Sequence, residues 1–505
     1  MQLHKNLKET AVIAVIVCLL GGCTGSFEEL NTNPSLLVES KVQSTVLFTS
    51  VLKNSIFASY NNSQGRVGEF SQYFASESSG NLFAVSNYTS PFNWYTSYII
   101  NINEVLRLTA DDPQKNDQNA MARIWKAWLF HMMTDAYGDI PYFEAAQDVR
   151  NVINQPKYDT QEAIYRDMLK ELKEAAAQLG ALPEQLSFGN ADILYRGDIV
   201  NWRKFANSLR LRLAIRVRFA DATLASEHIN DVVNAPLIIE NSENATLRTL
   251  EPTASENTSN VNAVYTWGQT NISPMYVGFG ITDVMIPTDD PRMPVFFTAS
   301  TDGNDSYRGR PIQLAQEQKV PYGGDMVATV GPILKANTYQ IIVFNAAEVY
   351  LLRAEAAFAN ITSEDDNNLY RTGIQKSMEQ YEIDEEAVTA FLNQPVGTLS
   401  GTEEERFENI VTQKYIAMFF QGYQGWAEMR RTGYPKIWIG DEVGVSGGHI
   451  PRRFTYPNDE FLKNKENIEE AVARMGGDNL TTKVWWDKRP GLPYSHPLQN
   501  VFPPN

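Results

Sequence analysis

Apolar positions along the chain fall into two kinds of stretch. In the first kind they recur every three or four residues, the spacing that lines one face of an α-helix. Residues 46–57 read this way, as do Trp94, Tyr98, Ile102 and Val105, and then Trp125, Leu129, Met132 and Ala136. The last of these stops at Tyr137-Gly138-Asp139-Ile140-Pro141, where glycine suits the cap and proline cannot continue the helix. Ile164, Met168, Leu172, Ala175 and Leu179 follow, closed by Gly180, and then Trp202, Phe205, Leu209, Leu213 and Val217. Helical spacing returns over 343–359 and in Phe407, Ile410, Val411, Tyr415, Met418 and Phe419, before Gly422 and Gly425. In the second kind of stretch no period is sustained, and Gly, Pro, Asn, Thr and isolated aromatics dominate. One apolar stripe cannot bury itself, so helices joined by short turns are expected to pack as hairpins. The pattern predicts a mostly α protein, with a helical scaffold mainly over 40–225 and 343–432. Loop-rich parts are expected mainly over 60–92, 234–338 and 433–505.

The N-terminus departs from both patterns. His4, Lys5 and Lys8 precede an apolar run over 11–20 that ends in Leu20-Gly21-Gly22-Cys23. Basic residues, a short apolar run and small residues read as a cleaved export signal over 1–22. A bilayer-spanning helix needs roughly 20 apolar residues, so this run is too short to span. Its last four residues resemble the lipobox of bacterial lipoproteins, which implies lipid attachment at Cys23. The other reading is a soluble secreted protein whose signal contains Cys23. The tether Thr24-Gly25-Ser26-Phe27-Glu28-Glu29 is similar to the acidic export tag of Bacteroidetes surface lipoproteins. On this reading 23–505 is the mature chain.

Charge and residue usage narrow the chemistry. A formal net charge of -17, with no Lys/Arg block, argues against nucleic acid as a partner. The only cysteines are Cys18 and Cys23, so the body of the chain has no disulfide, thiol nucleophile or thiolate metal site. His4, His131, His228, His449 and His496 have no second ligand at metal spacing, and His131 beside an apolar stripe reads as packing. P-loop and dinucleotide motifs do not occur, and neither a cofactor nor an enzyme is expected. Two suitably placed carboxylates would suffice for a glycosidase, which keeps a surface glycan hydrolase as the alternative of another class. Asp302-Gly303-Asn304-Asp305 reads as a turn before it reads as a calcium site. Arg203, Arg210, Arg212, Arg216 and Arg218 read as a solvated or salt-bridged helix face before they read as a site for acidic ligands.

Several short stretches, in order along the chain, resemble the SusD/RagB family of nutrient-binding outer-membrane lipoproteins, in its SusD-like branch. They are 27–34 (Phe-Glu-Glu-Leu-Asn-Thr-Asn-Pro), 137–142 (Tyr-Gly-Asp-Ile-Pro-Tyr), 202–212 from Trp202 to Arg212, and Asp290-Pro291-Arg292. Ala347-Glu348-Val349 with Ala354-Glu355-Ala356, 413–417, 426–435 from Trp426 to Pro435, Tyr456-Pro457 and Val484-Trp485-Trp486-Asp487 complete the set. The resemblance implies tetratricopeptide-like helical hairpins packed against a loop-rich, ligand-carrying part. It also implies a SusC-like TonB-dependent transporter as partner, at the outer membrane and facing the cell exterior, with oligosaccharide or oligopeptide as cargo. Members that bind sugars do so with aromatic rings of the loop-rich part. Trp125, Trp202, Phe205, Tyr350 and Phe358 lie in helical stripes and are set aside as packing. The rings left are Phe83, Tyr88, Trp267, Tyr276, Tyr307 and Tyr322, with Trp94 at the start of a stripe. Asn81, Asn271 and Arg308 are the polar candidates beside them.

Overall fold

The architecture was taken from a computed structural model, which describes residues 43–76, 89–147, 150, 152–253, 260–265 and 275–504. Each helical stripe upstream of residue 225 becomes a helix: α1 (Ser44–Gln64), α2 (Ile100–Thr109), α3 (Asn116–Tyr137), α4 (Gln161–Gln178) and α5 (Ile199–Arg216). Local chemistry sets their ends. Thr160 Oγ1 accepts from Ala163 N–H at 3.2 Å to start α4, and Asp198 does the same for Val200 and Asn201 to start α5. Gly138, at φ 88°, ends α3 while its N–H reaches Thr134 O at 2.7 Å. A further helix, α6 (Ala222–Val232), follows. Successive helices from α1 to α6 pack each on the next, as hairpins require.

The second half of the scaffold comprises α7 (Ala346–Phe358), α8 (Asp366–Gln380), α9 (Glu403–Ala417) and α10 (Gly422–Thr432). Helix α7 packs on α8, α9 and α5, and so joins the two halves. The structure extends the sequence-based expectation in three places. Helix α1 runs seven residues past Phe57; a five-residue π-helix, Tyr95–Ile99, precedes α2; and α11 (Lys465–Met475) lies in a tail expected to be irregular.

The remaining chain forms two small antiparallel sheets. Strands β1 (Phe74–Ala75), β3 (Tyr276–Val277), β5 (Thr329–Val330) and β4 (Phe297–Thr298) lie side by side in that order. Strands β2 (Ala245–Arg248) and β6 (Gln340–Phe344) pair on their own, with Thr246 opposite Ile342 and Arg248 opposite Gln340. One apolar core spans both parts, from Phe48 on α1 through Phe296 and Phe297 to Trp486.

Within the scaffold sits a buried network of charges. The carboxylate of Glu355 takes both Arg431 Nη atoms at 2.7 Å and Lys414 Nζ at 2.8 Å, and Arg218 joins at 3.0 Å. Glu428 shares Lys414 and Arg431, at 2.8 and 2.7 Å. Arg212 forms a two-pronged pair with Glu348, both contacts at 2.6 Å. Arg216 pairs with Asp135, which also accepts from Trp486 Nε1 at 2.7 Å. These cations hold Glu355 well below the usual carboxylate range and lower Glu428 to about 2, against the upward push of burial. Arg210, Arg212, Arg216 and Arg218 are salt-bridged, as expected, but the solvated reading is corrected for three of them. Arg210, Arg212 and Arg216 are buried, because neighbouring helices supply carboxylates that keep them paired away from water. His131 is buried too, with Nε2 3.0 Å from Gln424 Nε2, and burial holds its pKa well below the ordinary value.

Candidate functional site

Strand pairing decides which loop ends meet. Ala75 lies opposite Tyr276 and Phe74 opposite Val277, so the chain following Ala75 leaves the sheet where the chain preceding Tyr276 enters it. Arg308 O accepts from Ala328 N–H at 2.8 Å, and Ala328 O accepts from Val277 N–H at 3.0 Å, which lays the 307–310 segment beside the same strands. This end of the sheet is a rim that gathers Tyr276, Tyr307 and Arg308 among the described candidates.

Of these candidates, Asn81, Phe83, Tyr88, Trp267 and Asn271 lie outside the described residues, as does Cys23. Tyr307 and Arg308 are half-buried at the rim. Tyr307 packs toward Phe297, with ring centroids 6.2 Å apart, and Arg308 donates from Nη1 to Pro321 O at 2.9 Å. Tyr276 and Tyr322 correct the expectation of open rings. Both belong to a buried cluster with Phe279, Leu314, Val327 and Trp438. The Arg308 guanidinium covers the Tyr322 ring at 4.0 Å and the Arg310 guanidinium stands 5.6 Å from the Tyr276 centroid. Trp94 is likewise packed, between Tyr98 and Tyr423, and lies apart from the rim residues in the main core. An aperiodic sequence is no guarantee of exposure, because a ring capped by a cation in a loop buries as fully as one in a stripe.

A second feature was not foreseen. Beside the β2–β6 pair, a cleft of about 420 Å³ opens against the C-terminal end of α8, within the range of roughly 300–1,000 Å³ common for ligand sites. Thr246 and Arg248 alternate along β2, the spacing that puts side chains on one face of a strand, and Asn244 stands two residues before Thr246. That alternation was the available signal, in a region read as irregular. Gln340, Gln380, Asn241, Thr338, Glu379 and Glu382 add to the polar lining, and Tyr339 and Tyr381 form the floor. A third cleft of about 440 Å³, between Arg430 and Gln499, has walls that include Met429, Ile437, Ile439 and Ile450. The Asp302–Asp305 stretch is a turn: Asp302 Oδ1 accepts from Asn304 N–H at 3.1 Å and Gly303 takes φ 91°. No group of three or more metal-binding side chains occurs among the described residues.

Comparison with known proteins fixes the lineage. A SusD-like family model, described as "Starch-binding associating with outer membrane", matches residues 36–457. The chain belongs to the SusD-like family. A solved chitin-binding protein superposes with a TM-score of 0.77 at 27% identity, covering 88% of this chain and 100% of its own. A SusD homolog from Bacteroides uniformis gives a TM-score of 0.74 at 27% identity, covering 89% and 100%. A chitin-binding SusD homolog from Flavobacterium johnsoniae gives 0.74 at 25% identity, covering 88% and 97%. Among curated proteins there is no significant sequence match. The helical hairpins of the scaffold are those of the SusD-like fold. None of the described helices is long and apolar enough to cross a membrane.

Proposed function

We propose that this protein captures oligosaccharides at the outer surface of the cell and passes them to a SusC-like TonB-dependent transporter, over which it sits as a lid. On this reading a lipid on Cys23 holds it to the outer membrane, and it carries out no chemistry of its own. The observation that carries the proposal is membership of a family described as starch-binding and associated with the outer membrane, with chitin-binding solved relatives. The rim around β1 and β3 is the proposed capture surface. Phe83, Tyr88 and Trp267 supply ring faces, and Asn81, Asn271 and Arg308 supply hydrogen bonds, with Tyr307 beside them. A sugar's C–H face packs on a ring while its hydroxyls take the polar groups.

The test is calorimetric titration of the full-length chain, in a detergent without a sugar headgroup, against starch-, chitin- and plant-derived oligosaccharides and mixed oligopeptides. Saturable binding confined to sugars is expected. Binding confined to peptides would replace the cargo, and reducing ends released over time would replace capture by hydrolysis. Trp267→Ala and Tyr307→Ala are expected to abolish sugar binding with little change in Tm.

A further inference from the structure

The cleft beside the β2–β6 pair has the makings of a site of its own. Its polar side chains are held in place by one another rather than by solvent. Asn244 Oδ1 accepts from Ala346 N–H at 2.8 Å, which fixes the direction of its amide. Asn244 Nδ2 then donates to Gln380 Oε1 at 3.1 Å and to Asn241 Oδ1 at 3.3 Å. With its oxygen engaged, Gln380 has a buried Nε2 that lacks a hydrogen-bond partner among the described residues. A buried donor left unmade is unfavourable, so an acceptor that reached Nε2 from the cleft would be held.

The opposite wall is arranged in the same way. Gln340 Nε2 donates to Thr246 Oγ1 at 2.6 Å, which leaves the threonine hydroxyl hydrogen free to donate. Arg248 donates from Nη2 to Thr338 Oγ1 at 3.1 Å, and no carboxylate of the described residues pairs with it. Lys376, on the outer face of α8, is tied to Glu240 and Glu379 at 2.7 and 3.2 Å. Below them, Tyr339 is fixed against Tyr60 at 5.5 Å and Tyr381 against Phe296 at 4.7 Å, which makes the floor rigid.

We propose that this cleft is a binding subsite for a neutral oligosaccharide, whose hydroxyls bond Arg248, Thr246 and Gln380 over the tyrosine floor. Each sugar hydroxyl both donates and accepts, and vicinal pairs of hydroxyls match the two-pronged geometry of guanidinium and amide groups. Three charged side chains line the cleft, Arg248, Glu379 and Glu382, and Glu379 is paired with Lys376 at 3.2 Å, so a ligand of fixed charge would gain one partner and face one like charge. The subsite lies on the side of the scaffold formed by α8 and rests on the glycan-capture reading of the whole protein.

Two measurements on the full-length chain decide the proposal. In the first, Arg248→Ala, Gln380→Ala and the cleft-filling Thr246→Trp are titrated with the oligosaccharide that the unaltered protein binds. Losing one such hydrogen bond is expected to weaken binding by about ten-fold, with far-UV circular dichroism and Tm retained. Arg248 is exposed, so its variant keeps the test valid if either of the other two misfolds. In the second, a photoreactive derivative of the same sugar is cross-linked and the labelled peptides are sequenced. Label on residues 241–248 or 376–382 supports the subsite. Sugar binding with unchanged variants and label elsewhere overturns the subsite and leaves glycan capture standing. Peptide probes labelling the cleft in place of sugars overturn it in favour of another ligand. No sugar binding by the unaltered protein overturns both readings together.

Discussion

Replacing Glu355 with Gln tests whether the buried charge network holds the two halves of the scaffold together. Glu355 is fully buried on α7, and its two oxygens receive Arg431, Lys414 and Arg218. Glutamine keeps one acceptor oxygen but turns an amide donor toward a cation. Lys414 and Arg431 are then left to Glu428, and Arg218 loses its carboxylate. Breaking a buried ion pair from one side costs about 3–5 kcal/mol, because the charges left behind have no compensation. The assay is urea unfolding at pH 7, followed by the same curves at descending pH. Glu355 and Glu428 are both depressed in the folded state, so their contribution is complete above the ordinary value of 4.5 and is lost as pH falls toward the folded value, about 2 for Glu428. The unaltered protein should therefore lose stability steeply between about pH 4.5 and 2. In Glu355→Gln that slope should shrink, and the two curves should converge at the acid end. A loss below about 1 kcal/mol at pH 7, or curves that stay parallel down to low pH, would refute the account.

Burial raises Glu69 to about 7, so folding takes up a proton there and stability should decline as pH rises from 4.5 toward 7. Glu69→Gln should flatten that decline and gain about 2–3 kcal/mol at pH 8 relative to pH 5, read from unfolding midpoints at the two pH values. At Gly425 an added Cβ would stand 2.7 Å from two ring carbons and the hydroxyl oxygen of Tyr73. That ring is buried, and its hydroxyl donates to Tyr415 O at 2.7 Å, so it has nowhere to go. Gly425→Ala should cost about 1–3 kcal/mol in urea unfolding, and an unchanged midpoint would show that the ring gives way. Cys23→Ser should move the protein from the membrane fraction to the soluble fraction of cells, and unchanged fractionation would remove the lipid anchor from the proposal.

Helices with a broad apolar stripe were legible because the stripe is a local signal. Trp202, Phe205, Leu209 and Leu213 lie four residues or fewer apart, and all are buried on α5. The arginines between them were not legible as buried, because what buries them lies far away in sequence. Arg212 finds Glu348 across 136 residues and Arg216 finds Gln424 across 208. Helix α11 escaped notice for the opposite reason: it buries only Ile468 and Ala471, too narrow a stripe to stand out in a tail rich in Pro and Gly. At the rim, residue type pointed to rings and polar groups in the loops, but whether a ring faces outward depends on neighbours. Tyr322 is closed by Arg308, itself one of the candidates, and Tyr276 by Arg310. The cleft at β2 was missed because three alternating polar residues mean little until Gln380, brought from another helix, supplies the facing wall.

The tie between Asp135 and Trp486 spans 351 residues, and the tail makes further bonds close by, from Phe454 N–H to Ala136 O and from Tyr456 to Asp139 O. A chain synthesised from its N-terminus holds the end of α3 unfinished until nearly all of it has been made. Contacts of such separation form late and slowly, and the exposed intermediates they leave are prone to aggregate. For this protein the segment from Phe454 to Trp486 is a clasp: truncation before Trp486 should cost the fold of the first helices, far from the cut.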